Sequence, residues 1–126
     1  MKKIITSKNA PSPIGPYNQA VIANGFMYIS GQVGMNPKTG KIIKESISDE
    51  TEQVMKNLSS ILNEASISFE NVVKTTIFLS DMNDFSLVNE VYGKYFEEDT
   101  APARETVQVS KLPLGVNVEI SMIALL

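Results

Sequence analysis

The chain has 126 residues, with 11 Lys and Arg against 14 Asp and Glu for a net charge of −3, and 43% of it is hydrophobic. At about 150 residues per domain this predicts a single domain over residues 1–126. The acidic balance argues against a protein that coats nucleic acid, since such binding leans on a basic footprint. Cysteine and histidine are both absent, which removes disulfides, thiolate nucleophiles, Ser-His-Asp triads and imidazole or thiolate metal ligands together. Acid–base chemistry falls to Glu, Asp, Lys, Tyr, the backbone or water.

Met1 to Thr6 carries two lysines but no apolar run of signal-peptide length. No stretch approaches the roughly 20 apolar residues of a membrane span. The expectation is a soluble cytoplasmic protein without a membrane partner, and the lack of cysteine agrees with a reducing compartment.

Lys3 to Thr6 reads as a short strand, and Asn9 to Tyr17, with Pro11, Pro13, Gly15 and Pro16, as an irregular loop. Ala20 to Ala23 and Phe26 to Ser30 flank Asn24-Gly25, the strongest short hairpin signal. Asn36 to Gly40 follows as a turn-rich loop. Val54, Met55, Leu58, Ile61, Leu62 and Ala65 form one stripe at helical period, with Ser46 and Asp49 fitting a capping box ahead of it. Val72 to Ser80, rich in β-branched and aromatic residues, reads as a strand.

Asp81 to Asp84 should cap a second helix, on which Phe85, Val88, Tyr92 and Tyr95 share a face. Pro102 ends the loop that follows. Arg104 to Ser110 and Val116 to Leu125 read as two last strands around Leu112-Pro113-Leu114-Gly115. The order β-β-β, α, β, α, β-β predicts an α+β fold with one mixed, mostly antiparallel sheet and both helices on one face. In the last strand Asn117, Glu119, Ser121, Ile123 and Leu125 alternate with apolar residues and are not uniformly polar. A half-apolar face without helical cover favours burial in an oligomer over cover by loops.

Among residues able to carry chemistry, Arg104 shares a strand face with Thr106, Gln108 and Ser110. Its planar guanidinium suits a carboxylate or phosphate. The pattern alone favours a solvated surface arginine, but the small, stiff Ala101-Pro102-Ala103 before it is a poor setting for a mobile one. Glu119 stands mid-strand between Val118 and Ile120, where glutamate is disfavoured. Without histidine it is the best general acid–base candidate by elimination. It lies on the strand after that of Arg104, which makes contact between the two an open expectation.

Tyr17 ends the proline-rich loop, where its hydroxyl can meet a ligand or its ring can simply pack. Ser30 ends a strand at Gly31, which either permits a close backbone approach or marks a bulge. Asn89 flanks the second helix's apolar stripe and reads as a solvated flank or a ligand contact. Glu97-Glu98-Asp99 reads as a solvated helix end and Asp81 to Asp84 as a cap, so neither is assigned a metal. No dinucleotide or phosphate-loop motif occurs, and Lys2, Lys3 and Lys8 are too few for a nucleic-acid patch.

Five segments stand in the order and spacing of one family: Ile14-Gly15-Pro16-Tyr17, Tyr28-Ile29-Ser30-Gly31-Gln32, Asp84-Phe85 with Val88 to Tyr92, Pro102-Ala103-Arg104, and Val118-Glu119-Ile120. Together they resemble the Rid (YjgF-like) family, in its imine deaminase branch, over essentially the whole chain. The resemblance implies a chorismate-mutase-like α+β fold and a homotrimer with clefts between subunits. It also implies hydrolysis of enamines and imines such as 2-aminoacrylate to 2-oxo acids and ammonium, without a cofactor. It assigns Arg104 to the substrate carboxylate and Glu119 to the water, and places Tyr17, Ser30, Gly31, Asn89 and the Phe85 ring in the cleft. Many relatives have Arg-Ser-Cys where this chain has Arg104-Glu105-Thr106, so Thr106 offers its backbone N–H but no thiol. The competing readings are a 2-oxo acid-binding regulator without turnover, and a ribonuclease or translation inhibitor, which the acidic charge disfavours.

Overall fold

Asn24 and Gly25 both adopt left-handed backbone angles, φ 56° and 82°. Two consecutive positive φ values suit the tight turn that matches strand twist, which is why Asn-Gly stands here. In the computed structural model, which describes residues 1–126, this turn joins β2 (Ala20–Ala23) to β3 (Phe26–Gln32) as an antiparallel hairpin. β1 (Lys3–Ile5) pairs with the outer side of β2. The remaining strands are β4 (Val72–Leu79), β5 (Ala103–Gln108) and β6 (Val118–Leu125), and the sheet runs β1-β2-β3-β6-β4-β5. Only the β4–β5 pair is parallel.

The long helix α1 (Ile47–Glu64) begins where Ser46 Oγ accepts the Asp49 N–H at 3.0 Å. Its stripe of Val54, Met55, Leu58, Ile61 and Leu62 is fully buried. That stripe meets Met27 and Ile29 of β3, Ile77 and Leu79 of β4, and Val118, Ile120, Met122 and Ala124 of β6 in one core cluster. The second helix, α2 (Phe85–Gly93), packs on α1 and buries Val88, Val91 and Tyr92. Both helices therefore cover the same face. The other face carries Tyr28, Lys74, Thr76, Phe78, Glu105, Val107, Glu119, Ser121, Ile123 and Leu125, none of them buried, with Lys74 Nζ paired to Glu105 at 2.7 Å.

Several expectations are corrected. β3 runs on through Gln32, and between Ile29 (opposite Met122) and Gln32 (opposite Ile120) it has one residue more than β6. This bulge sets Ser30 and Gly31 against the single residue Ser121. Asp81 caps a short 3₁₀ turn, Met82–Asp84, and α2 follows from Asp84 without a side-chain cap. Tyr95 lies beyond the end of α2, and Glu98–Thr100 is a separate 3₁₀ turn, so the acidic run is not a helix end. The last two strands are shorter than expected and are not partners. β6 inserts between β3 and β4, while β5 forms the sheet edge.

Candidate active site

Arg104 is the second residue of β5 and pairs with Thr75, which itself pairs with Met122. Paired residues share a sheet face, so Arg104 points to the side covered by helices. There α2 presents Phe85, Asn89 and Tyr92 at i, i+4 and i+7, one face of the helix. Arg104 Nη1 donates to Asn89 Oδ1 at 2.6 Å. Its guanidinium carbon stands 5.0 Å from the Tyr92 ring centroid and 5.8 Å from that of Phe85, within reach of cation–π attraction. The Tyr92 ring is itself fixed, because its hydroxyl donates to Thr75 Oγ1 at 3.1 Å. Burial pushes the Tyr92 phenol up, against the lowering effects of Thr75 and Arg104, so it stays a neutral platform.

The only ion pair in the chain joins Lys74 and Glu105, which leaves Arg104 without an anionic partner. A guanidinium has five donors, and one of them is used within the chain. The rest border a cleft of about 600 Å³ walled by Asn89, Tyr92, Gly93, Phe96, Pro102 and Arg104. Thr106 faces the same way two residues on, and its buried Oγ1 has no hydrogen-bond partner. A held cation with free donors beside an apolar wall is equipped to grip a small carboxylate.

Glu119 belongs to a second group. It pairs with Phe78, three residues along β4 from Thr75, and an odd spacing reverses the face. Its carboxylate lies on the open face and makes no hydrogen bond or ion pair within the chain. It lies so close to Gly31 that a Cβ there would stand 2.7 Å from Oε2 and 2.9 Å from Cγ. Gly31 thus serves both suggested purposes, a bulge and a close approach. Burial alone raises the Glu119 pKa above the usual carboxylate value, which suits a group that takes and returns a proton.

Ser30 is turned to the segment that follows the proline-rich loop, donating through Oγ to Asn18 O at 2.6 Å. Tyr17 is half-exposed, and its hydroxyl accepts a long 3.5 Å contact from Ile14 N. Tyr17 and Ser30 line a hollow of about 420 Å³ with Tyr28, Ser121 and Ile123. The proline-rich loop is anchored by buried Gln19, which accepts from Ser7 N at 2.6 Å and donates to Pro11 O at 2.9 Å. The candidate residues accordingly form two groups. Arg104, Asn89, Phe85 and Thr106 lie on the helix side, and Tyr17, Ser30, Gly31 and Glu119 on the other. The expectation that Arg104 and Glu119 meet is not met within one chain, because β4 separates their strands and the register turns them apart.

The sequence pattern puts Tyr92 on the same helix face as Phe85 but does not assign it to the site, although its place seven residues after Phe85 is a visible signal. Thr75 and Gln19 carry no local signal, since their roles depend on partners distant in sequence.

This fold is that of a known family. The profile described as Endoribonuclease L-PSP matches residues 7–126, and the chain belongs to that family. Among its relatives, the 2-iminobutanoate/2-iminopropanoate deaminase of Mus musculus is 48% identical over 98% of this chain and 91% of its own length. A solved Yersinia pestis structure of the conserved Rid protein family is 47% identical, superimposes with a TM-score of 0.96 and is covered over its full length, as is this chain. The structure of E. coli TdcF with bound serine gives a TM-score of 0.91 at 39% identity over 98% of both chains.

Proposed function

We propose that this chain is a 2-imino acid deaminase that hydrolyses 2-iminobutanoate, 2-iminopropanoate and the enamines that tautomerise to them, and that it works in the cytoplasm as one domain over residues 1–126. The observation that carries the reading is the Arg104 guanidinium, held by Asn89 and two rings and left without an anion of its own. Arg104 takes the substrate carboxylate, with the Thr106 N–H beside it and Phe85 and Tyr92 as the apolar wall. Glu119 takes a proton from water as the water oxygen bonds to the imine carbon. The C=N π pair moves to nitrogen, which takes that proton. The carbinolamine hydroxyl then gives its proton through Glu119 to nitrogen as the C=O bond forms and the C–N bond breaks. A 2-oxo acid and ammonia leave, the ammonia becoming ammonium by taking a proton from solvent. Imines hydrolyse in water unaided, so holding the carboxylate and aligning one water supplies proximity and orientation.

The two groups lie on opposite faces, so a complete site needs a second copy. The reading therefore includes a homotrimer in which the Arg104 side of one copy faces the Glu119, Gly31, Ser30 and Tyr17 side of its neighbour. The half-apolar open face, with Tyr28, Val107 and Leu125 exposed, supports that burial. The binding of serine by the related TdcF supports a small carboxylate-bearing ligand. The net charge of −3 weighs against a nucleic-acid partner. The test is ammonium release from freshly generated 2-iminobutanoate. Tight 2-oxo acid binding with no release above the uncatalysed rate would reject turnover and leave a ligand-binding regulator.

A further inference from the structure

Asn117 stands immediately before β6, and all four of its polar groups are engaged. Its backbone N–H and its side-chain Nδ2 each donate at 2.8 Å to a different carboxylate oxygen of Glu50. Its carbonyl accepts from Ser80 N at 3.1 Å, and its Oδ1 accepts from the Ser80 hydroxyl at 3.3 Å. Glu50 lies in the first turn of α1, is 2% exposed, and has no cationic partner. Burying a carboxylate costs heavily unless its oxygens are hydrogen-bonded, and here each one is.

Glu50 also supports the other side of the site. A Cβ on Gly34 would come within 2.7 Å of both its Cγ and its backbone oxygen, so the chain leaving β3 rests directly on it. Two turns further along α1, fully buried Asn57 donates to Val33 O at 3.1 Å and Met35 O at 3.0 Å. Helix α1 therefore pins, through polar contacts, both the exit from β3 beyond Gly31 and the entry to β6 before Glu119. Apolar packing tolerates small slips along a strand, whereas paired directional bonds to both carboxylate oxygens do not. The Glu119 carboxylate makes no hydrogen bond, so its place depends on its backbone and on packing such as that against Gly31.

We propose that Glu50 is a positioning residue for the reaction, acting through Asn117 to set the start of β6 and so to hold the Glu119 carboxylate against Gly31. The proposal rests on the reading that Glu119 acts on the water.

Asn117→Asp tests it by placing an oxygen where Nδ2 donates, so that two carboxylates face each other. Steady-state kinetics on 2-iminobutanoate, well below the melting transition, should show kcat lower by about 10- to 100-fold with KM within about twofold, the scale of a small misplacement of a catalytic group. Adding Glu50→Gln restores the donor from the other side, and kcat should return to within about threefold of wild type. A purely structural role would move the melting temperature and leave kcat of the folded fraction unchanged. Wild-type kcat in folded Asn117→Asp, or a folded double variant with no recovery, overturns the proposal. Should Asn117→Asp fail to fold, Asn117→Ala removes the side-chain bonds without the repulsion, and wild-type kcat there overturns it equally. Glu119→Gln is measured in parallel. Unchanged kcat in that variant rejects the reading of Glu119 itself, whereas a loss there beside an unaffected Asn117→Asp rejects the positioning alone.

Discussion

Arg104 and Glu119 leave one sheet in opposite directions. Arg104 pairs with Thr75 and Glu119 with Phe78 on the same strand β4, and a spacing of three residues along a strand turns two side chains to opposite faces. The proposed carboxylate grip and the proposed acid–base group of one chain are thus separated by the thickness of the sheet. In the proposed reading they act together across a boundary between copies.

Mixed assemblies test this directly. Arg104→Ala and Glu119→Gln should each be nearly inactive alone. Co-expressed under separate tags and purified through both tags, they should regain activity in about a third of the sites, because each mixed trimer has one cleft of three in which both intact halves face each other. Light scattering should give three times the 13.8 kDa chain mass. An active monomer, or no recovery in the mixed assemblies, would place the whole site within one chain.

Arg104→Lys should raise KM and lower kcat, at a cost of about 2–4 kcal/mol in kcat/KM, the scale for breaking a hydrogen-bonded charge pair. Lysine keeps the charge but cannot hold Asn89 Oδ1 and a carboxylate with one planar fork, nor lie over Tyr92 and Phe85 in the same way. Near wild-type kinetics would move the carboxylate grip elsewhere.

Glu119→Gln should lower kcat by about 10²- to 10⁴-fold with a smaller change in KM. Burial raises the Glu119 pKa in the folded chain, and the base form is the ionised one. In wild type kcat should therefore fall on the acid side with a midpoint above the ordinary glutamate value, and the variant should lose that limb. The same shift predicts a stability effect. The folded state holds this proton more tightly than the unfolded state, so stability declines as pH rises from the unfolded to the folded pKa. Glu119→Gln removes that decline, and its melting temperature relative to wild type should be higher at pH 7 than at pH 4. An equal difference at both pH values would count against a shifted Glu119.

Gly31→Ala should separate folding from function. The added Cβ meets the Glu119 side chain, at 2.7 Å from Oε2 and 2.8 Å from Cδ, and not backbone. That side chain can swing away, so the fold should survive, while displacement of the carboxylate should lower kcat by about 10- to 100-fold. Thermal denaturation beside kinetics decides it, and a folded variant with full kcat would show that the Glu119–Gly31 contact is incidental.

Much of the architecture was legible because it is written in local patterns. Asn24-Gly25 needs two positive φ angles, the α1 stripe repeats at helical period, and β6 alternates Val118, Ile120, Met122 and Ala124 inward with Glu119, Ser121, Ile123 and Leu125 outward. The candidate site residues were legible as motifs in order along the chain, and Arg104 with Glu119 also as residue types out of keeping with their surroundings. Alternation says that a strand has two faces but not which strand lies beside it, because neighbours are chosen by the collective burial of the core and not by any one segment. Only the tertiary structure could insert β6 between β3 and β4, send β5 to the edge, and thereby turn Arg104 towards α2 and Glu119 towards Gly31. The same holds for Glu50 and Asn117, 67 residues apart: each is an ordinary polar residue in its own segment, and their pairing exists only once the helix has been laid against the sheet.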